Sequence, residues 1–132
     1  MVCLDTTFFA DLFRKNPAAQ EILEKLSSGN ESLSTTIMTI AELYYGAYKS
    51  SRIKEEKDKV QEILNHFSIL YMDELGAEKF GEIMNSMERE GQKAPDIDVL
   101  IGAISISKGE NTLVTRNKKD FENIPGLKII TY

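Results

Sequence analysis

Histidine and cysteine each occur once in these 132 residues, and tryptophan not at all. The lone thiol, Cys3, excludes an internal disulfide framework, and its apolar neighbours suit a small buried hydrophobe. One Cys and one His make no zinc ligand set. A serine or cysteine nucleophile would need His66 as its base, yet His66 follows Ile63 and Leu64 and precedes Phe67, as a helix-end residue would. Long apolar runs are also missing: the longest stretches without formal charge, Ser32–Ala41 and Ile63–Met72, fall far short of the ~18 residues of a membrane span. The N-terminus lacks the basic region and apolar run of a signal peptide, so a cytoplasmic location is expected. Positive charge is in deficit, with 16 Lys and Arg against 21 Asp and Glu, a net charge of −5. That deficit counts mildly against a nucleic-acid partner, because phosphate binding draws on positive surface.

What is present fits one globular domain: 42% hydrophobic and 28% charged residues support a core, without repeats or linkers to divide it. Strand and helix patterns alternate. Val2–Leu4 is a short strand, after which Phe8, Phe9, Leu12 and Phe13 recur at helical spacing, as do Ile22, Leu23 and Leu26 up to a stop at Gly29-Asn30. A β-prone stretch, Leu33–Ile37, leads to the helical stripe Ile40, Leu43, Tyr44, Ala47. A charged helix with Val60, Ile63 and Leu64 feeds a strand at Phe67–Tyr71. Phe80, Ile83, Met84 and Met87 form a helix ended by Gly91, and Asp98 is expected to open an almost wholly apolar helix, Val99–Ile106. Strands at Thr112–Val114 and Leu127–Ile130 complete the chain. Alternation of this kind implies parallel strands with helices on both faces. In such sheets, sites collect beyond the carboxyl ends of the strands.

Four acids fall at those ends. Asp5 follows the first strand, Glu42 sits early in the helix after the second, Asp98 begins the apolar helix, and Asp120 follows the fourth strand. Each has a bland explanation. Asp5, Asp98 and Asp120 could be helix N-caps, and Thr39-x-x-Glu42 is a capping box. Their surroundings argue otherwise: Asp5 and Glu42 are embedded in apolar sequence, Asp98 precedes a buried helix, and no Lys or Arg lies in these segments. Buried carboxylates need a positive neighbour. An all-oxygen ligand set suits Mg²⁺ or Mn²⁺.

The segments Leu4-Asp5-Thr6, Thr39-Ile-Ala-Glu42-Leu-Tyr-Tyr-Gly46, Asp98-Val-Leu-Ile-Gly-Ala103 and Leu113-Val-Thr115-Arg-Asn117-Lys-Lys-Asp120-Phe121 together resemble a PIN domain. More closely, they resemble the VapC-type toxins of toxin–antitoxin systems. The resemblance implies a three-layer α/β/α sandwich around a parallel sheet and Mg²⁺- or Mn²⁺-dependent cleavage of RNA leaving 5′-phosphate and 3′-hydroxyl ends. It also implies a cognate antitoxin and a homodimer. Residue by residue, Asp5, Glu42 and Asp98 match the family's first three acids. Asn117 stands where many relatives carry a fourth, so that role falls to Asp120, to water, or to nothing. Asp96 is expected in the loop after Pro95, in an outer role.

Thr6 and Thr115 bring hydroxyls to strand ends, where they could bond a metal-bound water or a phosphate. Arg116, Lys118 and Lys119 form a basic loop beside the acids that answers the charge objection. Lys49, Arg52, Lys54 and Lys57 are interleaved with Glu55, Glu56 and Asp58, as on a solvated face. Tyr44 and Tyr45 could stack on bases, though Tyr44 has the spacing of a core residue. The apolar excess of Val99–Ile106 and of the N-terminal helix suggests a dimer. Two other function classes compete with the nuclease. One is a PIN-like interaction module that binds RNA or antitoxin without turnover. The other is a phosphoaspartate enzyme, suggested by Asp96-Ile-Asp98 but excluded because no apolar strand precedes that pair.

Overall fold

The computed structural model describes residues 1–132. In chain order the elements are β1 (Val2–Leu4), α1 (Thr6–Phe13), α2 (Pro17–Ser28), β2 (Leu33–Thr36), α3 (Ile37–Lys49) and α4 (Ile53–His66). They continue with β3 (Ser68–Leu70), α5 (Glu74–Arg89), α6 (Asp96–Ser107), β4 (Thr112–Val114), α7 (Lys118–Phe121) and β5 (Lys128–Ile130). All four strand pairings are parallel, in the order β3-β2-β1-β4-β5.

Successive strand residues face opposite sides, and the core divides accordingly. Val2, Leu4 and Val114 join Phe8, Phe9, Ile40, Leu43, Val60 and Ile63 on one face. Cys3 and Leu113 join Ile83, Met87, Val99, Ile101, Ala103, Phe121 and Ile124 on the other. The expected α/β/α sandwich is therefore present, with α1–α4 on one side and α5–α7 on the other. At Gly102 a β-carbon would come within 3.1 Å of Ile124 Cδ1, so glycine there lets α6 lie close to the turn after α7. From β1 the chain winds outward through β2 and β3, then returns to place β4 on β1's other side. The strand order reverses at β1, and the crevice beyond its carboxyl end is where ligands bind in doubly wound sheets.

Three helix starts differ from the sequence expectation. The capping hydroxyl of α3 belongs to Thr36, which accepts from Thr39 N at 3.2 Å. Ile37 is thus the first helical residue, Glu42 lies in the second turn, and the Thr39–Glu42 box does not form. Helix α6 starts at Asp96 behind Pro95, so Asp98 is its third residue and Asp96 lies in its first turn, outside the loop assigned to it. Helix α7 has Asn117 at its N-cap position, which leaves Asp120 inside the helix.

Two isolated residues behave as expected. Cys3 is fully buried, and that burial pushes its thiol up to about 12. His66 ends α4, exposed, with Nδ1 2.8 Å from Glu62 O.

Candidate active site

Asp5 caps α1 and is 2% exposed. Its Oδ1 accepts from Phe8 N at 3.0 Å and from Thr7 Oγ1 at 2.9 Å, and its Oδ2 accepts from Thr115 Oγ1 at 2.5 Å. The N-cap expectation is met here. Burial raises its pKa above the ordinary value, and repulsion from Glu42 adds to that, while the three hydrogen bonds pull it down. Thr115, fully buried at the end of β4, thus reaches across the reversal point to Asp5.

Thr6 serves the second acid, donating from Oγ1 to Glu42 Oε1 at 2.5 Å. Asp98, half-buried, has its pKa pushed up to about 7, first by burial and then by the charges of Asp120, Glu42 and Asp5. Among those charges Asp120 acts most strongly on Asp98, and its Oδ2 accepts from Asn117 Nδ2 at 2.7 Å. The structure therefore gathers Asp5, Glu42, Asp98 and Asp120 into one electrostatic cluster, and it seats Asn117 behind Asp120. No ion pair neutralises any of the four. Asp96 is exposed and lines a separate cleft of about 370 Å³ with Met84, Met87 and Lys93.

The donor chemistry fits a hard divalent ion: four carboxylates repel one another, and no cation offsets them. The cage is not closed, for no three of these side chains already converge on one ligand position. Glu42 is turned to Thr6, and both Asp5 oxygens are taken up by hydroxyls. Loading would therefore require small rotations of these carboxylates away from their hydroxyl partners, with Asp5 also held by the backbone N–H of Phe8.

The basic loop is uneven. Arg116 pairs through Nη1 with Asp11 Oδ1 at 3.2 Å, whereas exposed Lys118 and Lys119 are in no ion pair. Tyr44 packs against the core, as its spacing implied, and Tyr45 is 66% exposed. A groove of about 380 Å³ leaves the site between α1, α3 and α4, from Thr6 and Glu42 past Phe13 and Leu43, with Arg14 and Lys59 on its walls.

Sequence reading missed Thr7. Its hydroxyl donates to Asp5 and accepts from Arg116 N at 3.1 Å, and it touches Thr115 Oγ1 at 3.2 Å. The available signal was its position two residues after a capping Asp, where hydroxyls fold back onto the cap. Asp11 and Tyr132 were also missed. Tyr132 Oη donates to Asp11 Oδ2 at 2.7 Å across 121 residues, a contact that no local pattern announces.

Comparison with known proteins shows what the fold is similar to. Curated relatives include Ribonuclease VapC2 of Haemophilus influenzae, 29% identical over 125 residues, covering 95% of this chain and 92% of that protein. The tRNA(fMet)-specific endonuclease VapC of Shigella flexneri is 27% identical over 125 residues, with the same coverage of 95% and 92%. Among solved structures, VapBC2 from Rickettsia felis, bound to a DNA fragment from its promoter, superposes with a TM-score of 0.90 at 28% identity. It covers 100% of this chain and 99% of that one. Residues 2–127 match the model of the PIN domain, and this chain belongs to that family.

Proposed function

We propose that this protein is a Mg²⁺- or Mn²⁺-dependent endoribonuclease, the toxin of a toxin–antitoxin pair, acting in the cytoplasm. The observation that carries the reading is the unneutralised cluster of Asp5, Glu42, Asp98 and Asp120 at the point where the strand order reverses. Relatives named as ribonucleases, and neighbours solved as VapBC complexes, support the same activity class and a protein partner.

Asp5 and Asp98 would hold the ion, with Glu42 as a further ligand or as the acceptor of the attacking water's proton. Bound there, a divalent ion supplies Lewis acidity toward the phosphoryl oxygen and toward a water, so hydrolysis needs no histidine. Thr115 and Thr7 fix both oxygens of Asp5, and Thr6 orients Glu42. Asp120 raises the proton affinity of Asp98 until positive charge arrives, and it stands as the nearest candidate for a fourth acidic role. Arg116, Lys118 and Lys119 offer phosphate contacts.

The groove between α1, α3 and α4 would receive an amphipathic, basic segment of the antitoxin. A basic side chain on that segment reaching Asp5 or Asp98 would exclude the ion. A homodimer is part of the same reading. The competing reading, a domain that binds RNA or antitoxin without turnover, draws on the open geometry of the acids.

Cleavage of an RNA substrate by wild type, Asp5→Asn, Glu42→Gln and Asp98→Asn, with Mn²⁺ or EDTA, separates the two. The nuclease reading expects activity in wild type with Mn²⁺ only. Full activity of Asp98→Asn in EDTA would sink the metal mechanism, and binding without cleavage under every condition would favour the interaction module.

A further inference from the structure

We propose that Asp11 is a positioning residue which, with Tyr132, fixes Arg116 beside the acid cluster as a clamp for a backbone phosphate of RNA. The choice of ligand rests on the ribonuclease reading; the geometry does not.

Asp11 lies on α1, six residues beyond Asp5, and is 2% exposed. An ionised carboxylate there is costly unless it is bonded. Three side chains hold it: Arg116 Nη1 at 3.2 Å and Arg14 Nη1 at 3.6 Å on Oδ1, and the Tyr132 hydroxyl at 2.7 Å on Oδ2. The two arginine side chains are 53% and 69% exposed against 3% for Asp11, so the carboxylate is the fixed point and the guanidiniums gather on it. Tyr132 is itself anchored, its ring edge-on to Phe8 at 5.9 Å between centroids. Burial and then Asp11 push its pKa upward, which keeps the hydroxyl a donor.

Arg116 is tied at both ends. Its backbone N–H donates to Thr7 Oγ1, and Thr7 donates to Asp5 Oδ1, so the residue sits two hydrogen bonds from a carboxylate of the cluster. A guanidinium has five N–H donors in a fixed fork. One is directed at Asp11, and at half exposure others remain free for a ligand. An arginine pinned in this way loses little side-chain entropy on binding, and its fork matches phosphate oxygens. Without Asp11 the same arginine would be a flexible surface charge of small effect.

The test is anisotropy with a labelled single-stranded RNA and the full chain, in an Asp98→Asn background so that the RNA survives. Arg116→Gln should weaken binding about tenfold and flatten the salt dependence by one contact, about 0.7 in log–log slope. Asp11→Asn should lose about fivefold and Tyr132→Phe about twofold, and neither should weaken binding further once Arg116 is Gln. In cleavage assays without the Asp98 change, KM should rise by the same factors, with kcat held within about twofold.

Additive losses in these double-mutant cycles would overturn the clamp. So would a lower melting temperature with RNA affinity and salt slope unchanged, which leaves Asp11 a purely structural link to the C-terminus. If Asp11→Asn does not fold, Tyr132→Phe with Arg116→Gln carries the cycle. RNA binding that follows this pattern in a protein that never cleaves would keep the clamp and sink the nuclease. No RNA binding in any variant overturns the clamp.

Discussion

A carboxyl with a pKa near 7, as Asp98 has, changes charge across the physiological range, and that change reaches both stability and metal binding. The folded pKa lies above the ordinary value of 3.8, so between about pH 4 and pH 7 the folded chain keeps a proton that the unfolded chain releases. Stability therefore falls as pH rises through this window in metal-free buffer. Discounted for solvent screening at a half-exposed position, the loss is roughly 1–2 kcal/mol. Thermal melts in EDTA should give wild type a lower midpoint at pH 8 than at pH 5, and Asp98→Asn should remove most of that difference while abolishing cleavage. A flat wild-type profile would contradict the repulsion assigned to the four acids. Glu110 shows the same sign, again with burial as the first cause. It is fully buried just ahead of β4, both carboxylate oxygens lack a hydrogen-bond partner, and burial raises its pKa. Glu110→Met replaces an unsatisfied polar group with an apolar chain of similar length. It should stabilise the protein at neutral pH by about 1 kcal/mol, read from denaturant midpoints at unchanged slope.

At the scale of elements, the fourth acid depends on how α7 begins. Asp120, placed inside that helix by an N-cap at Asn117, faces Asp98. Metal binding must displace the proton that Asp98 holds near pH 7, so Mn²⁺ affinity should climb with pH through that value. Asp120→Asn removes the largest charge acting on Asp98, and it should move the midpoint of that climb to lower pH while costing less activity than Asp98→Asn. Asn117→Asp should strengthen metal binding. Titrations of Mn²⁺ between pH 5 and 8 would show the shift, and an unmoved midpoint in Asp120→Asn would place Asp120 outside the site.

The strands and long helices were legible because their apolar periods are strong, and alternation alone implied the parallel sheet. Asp5, Glu42 and Asp98 were legible because acids in apolar sequence at strand ends are hard to explain as surface. Helix starts were less so. At α3 two threonines compete for the cap, and Thr36 takes it by ending β2. At α6 proline serves as the flanking residue, which admits Asp96 and Asp98 together into the first turn. Thr7, Asp11 and Tyr132 act through tertiary contacts that sequence spacing does not encode.

On the scale of the whole molecule, the two segments read as an apolar excess lie largely inside the fold. Phe8, Phe9, Val99, Ile101 and Ile104 are all buried within one chain, so the sequence argument for a dimer loses its premise, and a homodimer rests on the likeness to VapC proteins alone. What stays open is the groove between α1, α3 and α4, apolar at Phe13 and Leu43, with Glu42 and Glu56 matched by Arg14 and Lys59 on its walls. The groove's own charges balance, so a cationic amphipathic segment is favoured by apolar contact, by the net charge of −5 and by the unneutralised acids beyond Glu42. Gly46 lines this groove, and a β-carbon added there meets nothing within 4 Å. Its place inside α3 means that any ordinary side chain improves helix propensity, by up to about 1 kcal/mol for alanine. Gly46→Ala should therefore raise the melting temperature slightly and leave partner binding nearly intact. Gly46→Trp should fold as well as wild type but fill the groove, weakening the co-purified partner's affinity at least tenfold by calorimetry. Equal partner affinity in the folded Trp variant would move the proposed seat of the partner to another face of the domain.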